Sequence, residues 1–385
     1  MRILLPALVV ATALSAAACA PREGGGSIPT PTPVSVAVEA EALSPYAIEV
    51  RWTTTEETMS PVVFNDGTGG DETVVDTELT TEHRVLLQSL EAGATYDIGI
   101  GADTGFEGEI SETTPQAQGG PFNVLFDAAH GEDAGNADWI IDDTFPVPSP
   151  ASPSSETSWS GAYSAWGYDL HDTGRYDVES LRTGTFTAGA LSGFCAVILP
   201  EPNNQIPGAG LEALKDYVAG GGGVLLISDH EGSDRDNDGW ESLEALNELA
   251  DLDAAWGWRI DTQNIYEPAA NNFVADPREP LLHGPFGDVA AVGMYAATTL
   301  RIIPLQNPRM RQILWRPNQS GNAGLFIAAG FYGEGKIVIV GDSSPADDGT
   351  ANPGNTNIEN SWSDPAEDNA AFFLNATAWL CEDGG

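Results

Sequence analysis

The sequence predicts two folded units, a small all-β sandwich followed by a larger α/β domain on a doubly wound, mostly parallel sheet. Two contrasts point there. Between Val34 and Pro115 apolar residues alternate with polar ones in short runs divided by turn residues, the pattern of half-buried antiparallel strands. Beyond Gly119-Gly120 the apolar runs are unbroken and are separated by helical spacings, as expected for strands covered on both faces. The boundaries that follow are a leader over 1–18, a tether over 19–33, the sandwich over 34–116 and the α/β domain over 121–382.

The leader opens with Met1-Arg2, runs through apolar residues from Ile3 to Leu14 and ends in small residues before Cys19. So short a stretch is not long enough to span a hydrocarbon core of about 30 Å and reads as a cleaved signal peptide. The small residues before Cys19 resemble a bacterial lipobox, which makes Cys19 the expected lipidation site and the membrane an expected partner. Ordinary cleavage within Ala18-Cys19-Ala20 is the alternative. Gly24-Gly25-Gly26 and then Pro29, Pro31 and Pro33 form a flexible and then stiff tether. An exported protein at the outer membrane or cell surface is the expectation.

Charge narrows the partners. The chain has 57 Asp plus Glu against 15 Lys plus Arg, a formal net charge of −42, and its lysines are Lys215 and Lys336 alone. A surface so acidic repels nucleic acid, attracts divalent cations and stays soluble in salt. Extracellular glycan or protein is the expected partner class, with no nucleic acid. Besides Cys19 the cysteines are Cys195 and Cys381. They could pair in an oxidising compartment or remain two small buried residues, and the balance tips against a disulfide.

In the first unit, Val34-Val36-Val38, Ile48-Val50-Trp52, Val85-Leu87 and Tyr96-Ile98-Ile100 each alternate. Trp52, the stretch Leu90-Glu91-Ala92-Gly93-Ala94-Thr95-Tyr96 and the closing Thr113-Thr114-Pro115 together resemble a fibronectin type III domain. The resemblance implies a buried tryptophan on an early strand, a tyrosine corner at Tyr96, and a spacer or adhesive role. His83 is expected to be a solvated strand residue.

In the second unit the expected strands are Phe122 to Phe126, Ala196 to Leu199, Gly223 to Ile227 and Ile337 to Val340. The expected helices run from Gly210 to Ala219, Leu243 to Leu252 and Ala370 to Leu380. Each strand runs into polar residues: Asp127-Ala128-Ala129-His130-Gly131-Glu132, Glu201-Pro202-Asn203-Asn204, Ser228-Asp229-His230-Glu231-Gly232, and Asp342-Ser343-Ser344. In open parallel sheets ligands bind outside the carboxyl ends of the strands, so this edge is the expected site.

The opening Val124 to Gly131 and the approach Tyr217-Val218-Ala219-Gly220-Gly221-Gly222-Gly223-Val224-Leu225-Leu226-Ile227 resemble the class I glutamine amidotransferase-like superfamily. That resemblance implies a nucleophilic cysteine in a sharp strand-to-helix turn. Here the matching turn holds Ser228 to Gly232 with no cysteine, which argues against glutaminase chemistry.

Two cation sites are expected. Asp234-Arg235-Asp236-Asn237-Asp238-Gly239 has the opening spacing of a calcium loop, with side-chain oxygens alternating around a hard ion. Ala245 stands at the twelfth position, so Glu241 or Glu244 would close the shell. The metal set is therefore Asp234, Asp236, Asp238 and Glu241. The second set, Asp127, His130, Asp229, His230 and Asp342, joins imidazole to carboxylate as zinc or manganese sites do and could activate water. Adjacent Asp229 and His230 would point apart on an extended strand end. Calcium is the first expectation for the divalent cation, zinc or manganese the second.

His171 and His283 read as surface loop residues. The aromatic-rich insert from Phe145 to Gly174 is expected to pack its loop onto the domain, with a sugar-stacking lid as the alternative. Two functions stay open: a cation-assisted, metal-dependent hydrolase acting at the strand ends, and a non-catalytic binding or scaffold protein with a structural calcium loop.

Overall fold

A computed structural model describes residues 34–381 apart from 69, 102–105, 118 and 352–358. The leader, the tether and Cys19 lie outside the described residues.

The first unit is built from β1 (Val34–Ser35), β2 (Val38–Ser44), β3 (Ala47–Asn65), β4 (Glu72–Leu87), β5 (Thr95–Ile100) and β6 (Phe106–Thr113). The long β3 pairs antiparallel with β2 and β4 near its start and with β4 and β5 near its end. Register shifts between Thr53 and Ser60 let it serve both ends. Ile48, Val50, Trp52, Phe64, Tyr96 and Ile98 fill the core, as the two-residue period requires. Tyr96 forms the expected corner, its hydroxyl accepting the Glu91 amide at 2.7 Å. His83 departs from expectation. It is buried, stacks on Trp52 at 4.7 Å between centroids and meets the Thr54 hydroxyl at 3.2 Å, because on β4 it lies directly across from Trp52.

The second unit begins with β7 (Phe122–Asp127), α1 (Ser164–Asp172), β8 (Tyr176–Leu181), α2 (Ala188–Leu191), β9 (Ala196–Pro200), α3 (Gly208–Ala219), β10 (Gly223–Ile227) and α4 (Ser242–Leu252). Short strands β11 (Trp258–Ile260), β12 (Asn272–Phe273), β13 (His283–Gly284), β14 (Gly287–Asp288), β15 (Leu300–Ile302) and β16 (Arg311–Trp315) follow. The chain then forms the hairpin β17 (Leu325–Tyr332) and β18 (Gly335–Val340) and ends in α5 (Asn369–Leu380).

Five strands lie parallel in the order β8-β7-β9-β10-β18, and β17, β15 and β11 extend the sheet antiparallel. Both faces of the parallel strands are covered, which is why their sequences are unbroken apolar runs. Val124, Phe126, Ile198 and Leu225 pack into the core beneath α1 and α5. Leu125, Val197, Leu199 and Leu226 pack into a second core with α3 and α4. The four expected strands and three expected helices all form.

The insert departs in one respect. Ser164–Asp172 is a helix, started by Asp348 from a distant loop, whose Oδ2 accepts the Ala165 amide at 2.8 Å. Its aromatics pack inward as expected, with Trp159, Tyr163 and Trp166 all buried. His171 accordingly sits on that helix, half-buried, while His283 is exposed and meets Asp288 at 2.9 Å. Cys195 and Cys381 are joined in a disulfide, against expectation, since the parallel sheet brings the start of β9 beside the end of α5.

The two units share a polar seam. Glu49, buried on β3, is surrounded by Arg51 at 3.4 Å, Arg84 at 3.4 Å and, from the second unit, Arg309 at 3.3 Å. Ser89 donates to the Arg278 carbonyl at 2.7 Å. A cavity of about 350 Å³ opens at the junction, lined by Tyr46, Ser89, Leu90, His283, Asn375 and Trp379 among others.

Candidate functional site at the strand ends

The strand ends divide the expected residues into three groups. In the first, β7 ends at Asp127 and the chain turns at once. The i, i+3 spacing brings His130 Nδ1 to 2.7 Å from Asp127 Oδ2, while Asp127 Oδ1 accepts the Ala129 amide. Gly131 completes the turn at φ +90°, a conformation that side chains of L residues rarely adopt, with the Asn204 amide 2.1 Å from where a Cβ would lie. Glu132 then folds back and its Oε2 accepts the His130 amide at 2.8 Å.

All three side chains are buried. Burial pushes Asp127 up to about 7 and raises Glu132 well above the usual carboxyl range, with the facing Asp127 charge adding to it. Burial lowers His130, which favours the neutral imidazole. Glu132 was not among the expected site residues. Its signal was the sequence Asp-x-x-His-x-Glu within a single loop.

The second group meets around an arginine. Arg235, from the Asp-rich loop, donates through Nε to Glu201 Oε1 and through Nη2 to Asp229 Oδ2, both at 2.6 Å. Glu201 Oε2 in turn accepts the Ser343 hydroxyl at 2.5 Å. Tyr163 donates to the Ser343 carbonyl at 2.9 Å.

Glu201 follows β9 at φ +51°, a backbone conformation that few non-glycine residues adopt and that clusters at functional sites. Asp229 and His230 do not point apart. Both lie beyond the last residue of β10, and His230 Nδ1 sits 3.0 Å from Asp229 Oδ1 as an ion pair. Burial and the neighbouring Glu201 raise Asp229 to about 6, and the Asp229 carboxylate holds His230 up.

Glu201, Arg235, Ser343 and Tyr163 were not expected as site residues. The left-handed Glu201 is a backbone property, and Arg235 stands between two aspartates of the calcium-like loop, a position that offers no oxygen ligand.

Asp342 stands apart from both. Its Oδ2 accepts the Tyr295 amide at 2.5 Å and the Ala296 amide at 3.2 Å, and its Oδ1 accepts the Ser344 amide at 3.0 Å. Burial first, and the Asp229 charge second, raise it to about 7. Asp347 and Asp348 likewise serve backbone amides, those of Gly349 and Glu359 and that of Ala165.

Of the four residues expected around a calcium ion, three stand together. Carboxylate oxygens of Asp234, Asp236 and Asp238 lie within 4.8 Å of one another, and Asn237 and Gly239 take positive φ. Glu241 is turned elsewhere, its Oε2 accepting the Gly232 and Ser233 amides at 2.7 and 2.6 Å. Ala245 is buried inside α4, so the twelfth position faces the core and no residue there could reach an ion.

No known family profile matches the chain, and no curated protein does. Among solved structures, the mmIFT52 N-terminal domain aligns with 67% of this chain and 97% of its own, at 13% identity and TM-score 0.42. A cytoplasmic protein of Salmonella typhimurium aligns with 67% of this chain and 98% of its own, at 13% identity and TM-score 0.39. A fibronectin type III domain of human collagen XX aligns with 22% of this chain and 95% of its own, at 16% identity and TM-score 0.19. The chain's own strands and helices make it a mixed α/β protein with a β-sandwich part, and fibronectin type III domains are among its structural neighbours.

Proposed function

We propose that the chain is an exported binding or scaffold protein. In this reading a fibronectin-like sandwich is locked against a doubly wound, amidotransferase-like α/β domain that lacks the family's thiol nucleophile. The observation that carries it is the inward commitment of the strand-end groups: Asp342 serves three backbone amides, and Glu201 and Asp229 serve Arg235. Catalytic carboxylates need lone pairs aimed at substrate in a cleft. The cavity at the domain junction, whose walls hold none of these groups, is the better candidate for a bound extracellular glycan or peptide. A Cys195–Cys381 disulfide is consistent with an oxidising compartment, as export and lipidation at Cys19 would require. Calcium, in this reading, braces the Asp234–Asp238 loop and no more.

A hydrolase remains the second reading, favoured by one specific observation. Ser343 Oγ lies 2.5 Å from Glu201 Oε2, and Glu201 follows β9, which neighbours the first strand of the unit where the sheet order reverses. The test is a screen of ester and glycoside substrates with the full chain, beside Ser343→Ala and Glu201→Gln. Turnover abolished by either substitution would overturn the scaffold reading. Absence of turnover, together with glycan or peptide binding weakened by Trp379→Ala at the junction cavity, is the expected result.

A further inference from the structure

We infer that Asp127, His130 and Glu132 form a buried site for one first-row transition-metal ion, zinc in the first place and manganese in the second. The inference goes beyond the function proposed above, which needs no ion there. Three observations carry it.

The first is the donor set. One imidazole and two carboxylates offer ligand atoms within 4.8 Å of one another, and all three residues are buried. Imidazole with carboxylate suits zinc or manganese better than calcium, which takes oxygen ligands and usually more of them.

The second is an orphaned atom. Glu132 Oε1 is buried with no hydrogen-bond partner, although Glu132 Oε2 accepts the His130 amide. A neighbouring carboxylate is Asp127, which when ionised can only accept as well. Two carboxyl groups facing each other out of water need a positive charge between them, and a metal ion would take the place of the proton they otherwise share.

The third is that the loop's basic side chain is engaged elsewhere. Arg182 reaches over this loop, but its Nη2 pairs with Asp133 at 2.6 Å and its Nη1 donates to the Ala128 carbonyl at 3.2 Å. A divalent ion would neutralise the Asp127–Glu132 pair and leave the imidazole uncharged, the form in which it ligates.

This site differs from the five-residue set read from the sequence. Asp229 and His230 are held in the Arg235 group, and Asp342 is held by backbone amides. It is also independent of the Asp234–Asp238 loop. The ligands come from one six-residue segment that closes on itself, so the ion would be taken up as the loop folds and would exchange slowly afterwards.

The experiment is to unfold the full chain in denaturant with chelator, then refold it with no metal, with zinc, with manganese or with calcium. Bound metal is then measured after gel filtration. The expected result is about one zinc per chain that resists brief chelation, and binding at least about 100-fold weaker in Glu132→Gln and Asp127→Asn. Asp236→Asn should leave it unchanged.

Since either ligand variant could disturb folding, a wild-type readout stands beside them. With 15N-labelled histidine, zinc should shift the ring nitrogens of one of the five histidines, and His130→Gln should remove that signal. No zinc or manganese retained by the refolded chain would overturn the inference. So would zinc that persists in Glu132→Gln, or a shifted ring signal that belongs to another histidine.

Discussion

Replacing Arg235 by methionine tests how the strand-end charges are held. The guanidinium is 6% exposed and lies between Glu201, 0% exposed, and Asp229, 2% exposed. Each of its two 2.6 Å bonds is charge-assisted and contributes roughly 1.5–3 kcal/mol. Methionine fills similar volume, so packing is nearly conserved and the loss is electrostatic. Two carboxylates would remain out of water without their cation, which destabilises by about 3–5 kcal/mol at neutral pH.

The same substitution has a pH signature. Asp229 already titrates near 6, above its unfolded value, and loss of the guanidinium raises it further. A carboxyl group whose folded pKa exceeds the unfolded one binds more protons in the folded state. Its penalty is full above the folded pKa and fades as pH falls toward the unfolded value. Urea unfolding at about pH 8 and about pH 5 should therefore show a large deficit in Arg235→Met at the higher pH and a smaller one at the lower. A loss under about 1 kcal/mol at pH 8, or a loss equal at the two pH values, would refute the reasoning.

The wild-type protein should itself gain stability on mild acidification. Asp342, fully buried and titrating near 7, has an unfolded pKa near 4, so above pH 7 its ionisation opposes folding by on the order of 4 kcal/mol. A melting temperature that falls between pH 8 and pH 5.5 would contradict this. The disulfide closes a loop with a sequence separation of 186, so the Cys195→Ser, Cys381→Ser double variant should lose about 2–5 kcal/mol in urea titration. A non-reducing peptide map should recover the two half-cystines in one cross-linked fragment. Glu49→Ala should uncouple the two units, because three guanidinium groups lose their shared carboxylate. Calorimetry should then resolve two transitions where the parent shows one, and a single transition of unchanged midpoint would count against a locked seam. Tyr96→Phe should cost about 1 kcal/mol, read as an earlier transition of the sandwich.

Much of the architecture was legible in the sequence by itself. Period-two alternation around Trp52 and Tyr96 determined an antiparallel sandwich, and unbroken runs such as Gly223 to Ile227 determined strands covered on both faces. These patterns are local, since backbone geometry alone decides which side of a strand or helix a residue takes. The Asp127–His130 contact was within reach of the sequence for the same reason, its partners being three residues apart.

The remainder of the strand-end site was decided by tertiary structure. Glu201 meets Arg235 across 34 positions and Ser343 across 142, and those meetings depend on β9, β10 and β18 being neighbours in one sheet. Strand order is set by the packing of whole layers, and no local period encodes it. Burial is likewise collective. His83 stacks on Trp52, Asp342 turns to backbone amides and Cys195 meets Cys381 because of what lies opposite each of them. The sequence determined which groups stand at the strand ends. Only the fold decided that their charges face one another rather than the solvent, and a buried charge must find its partner inside the protein.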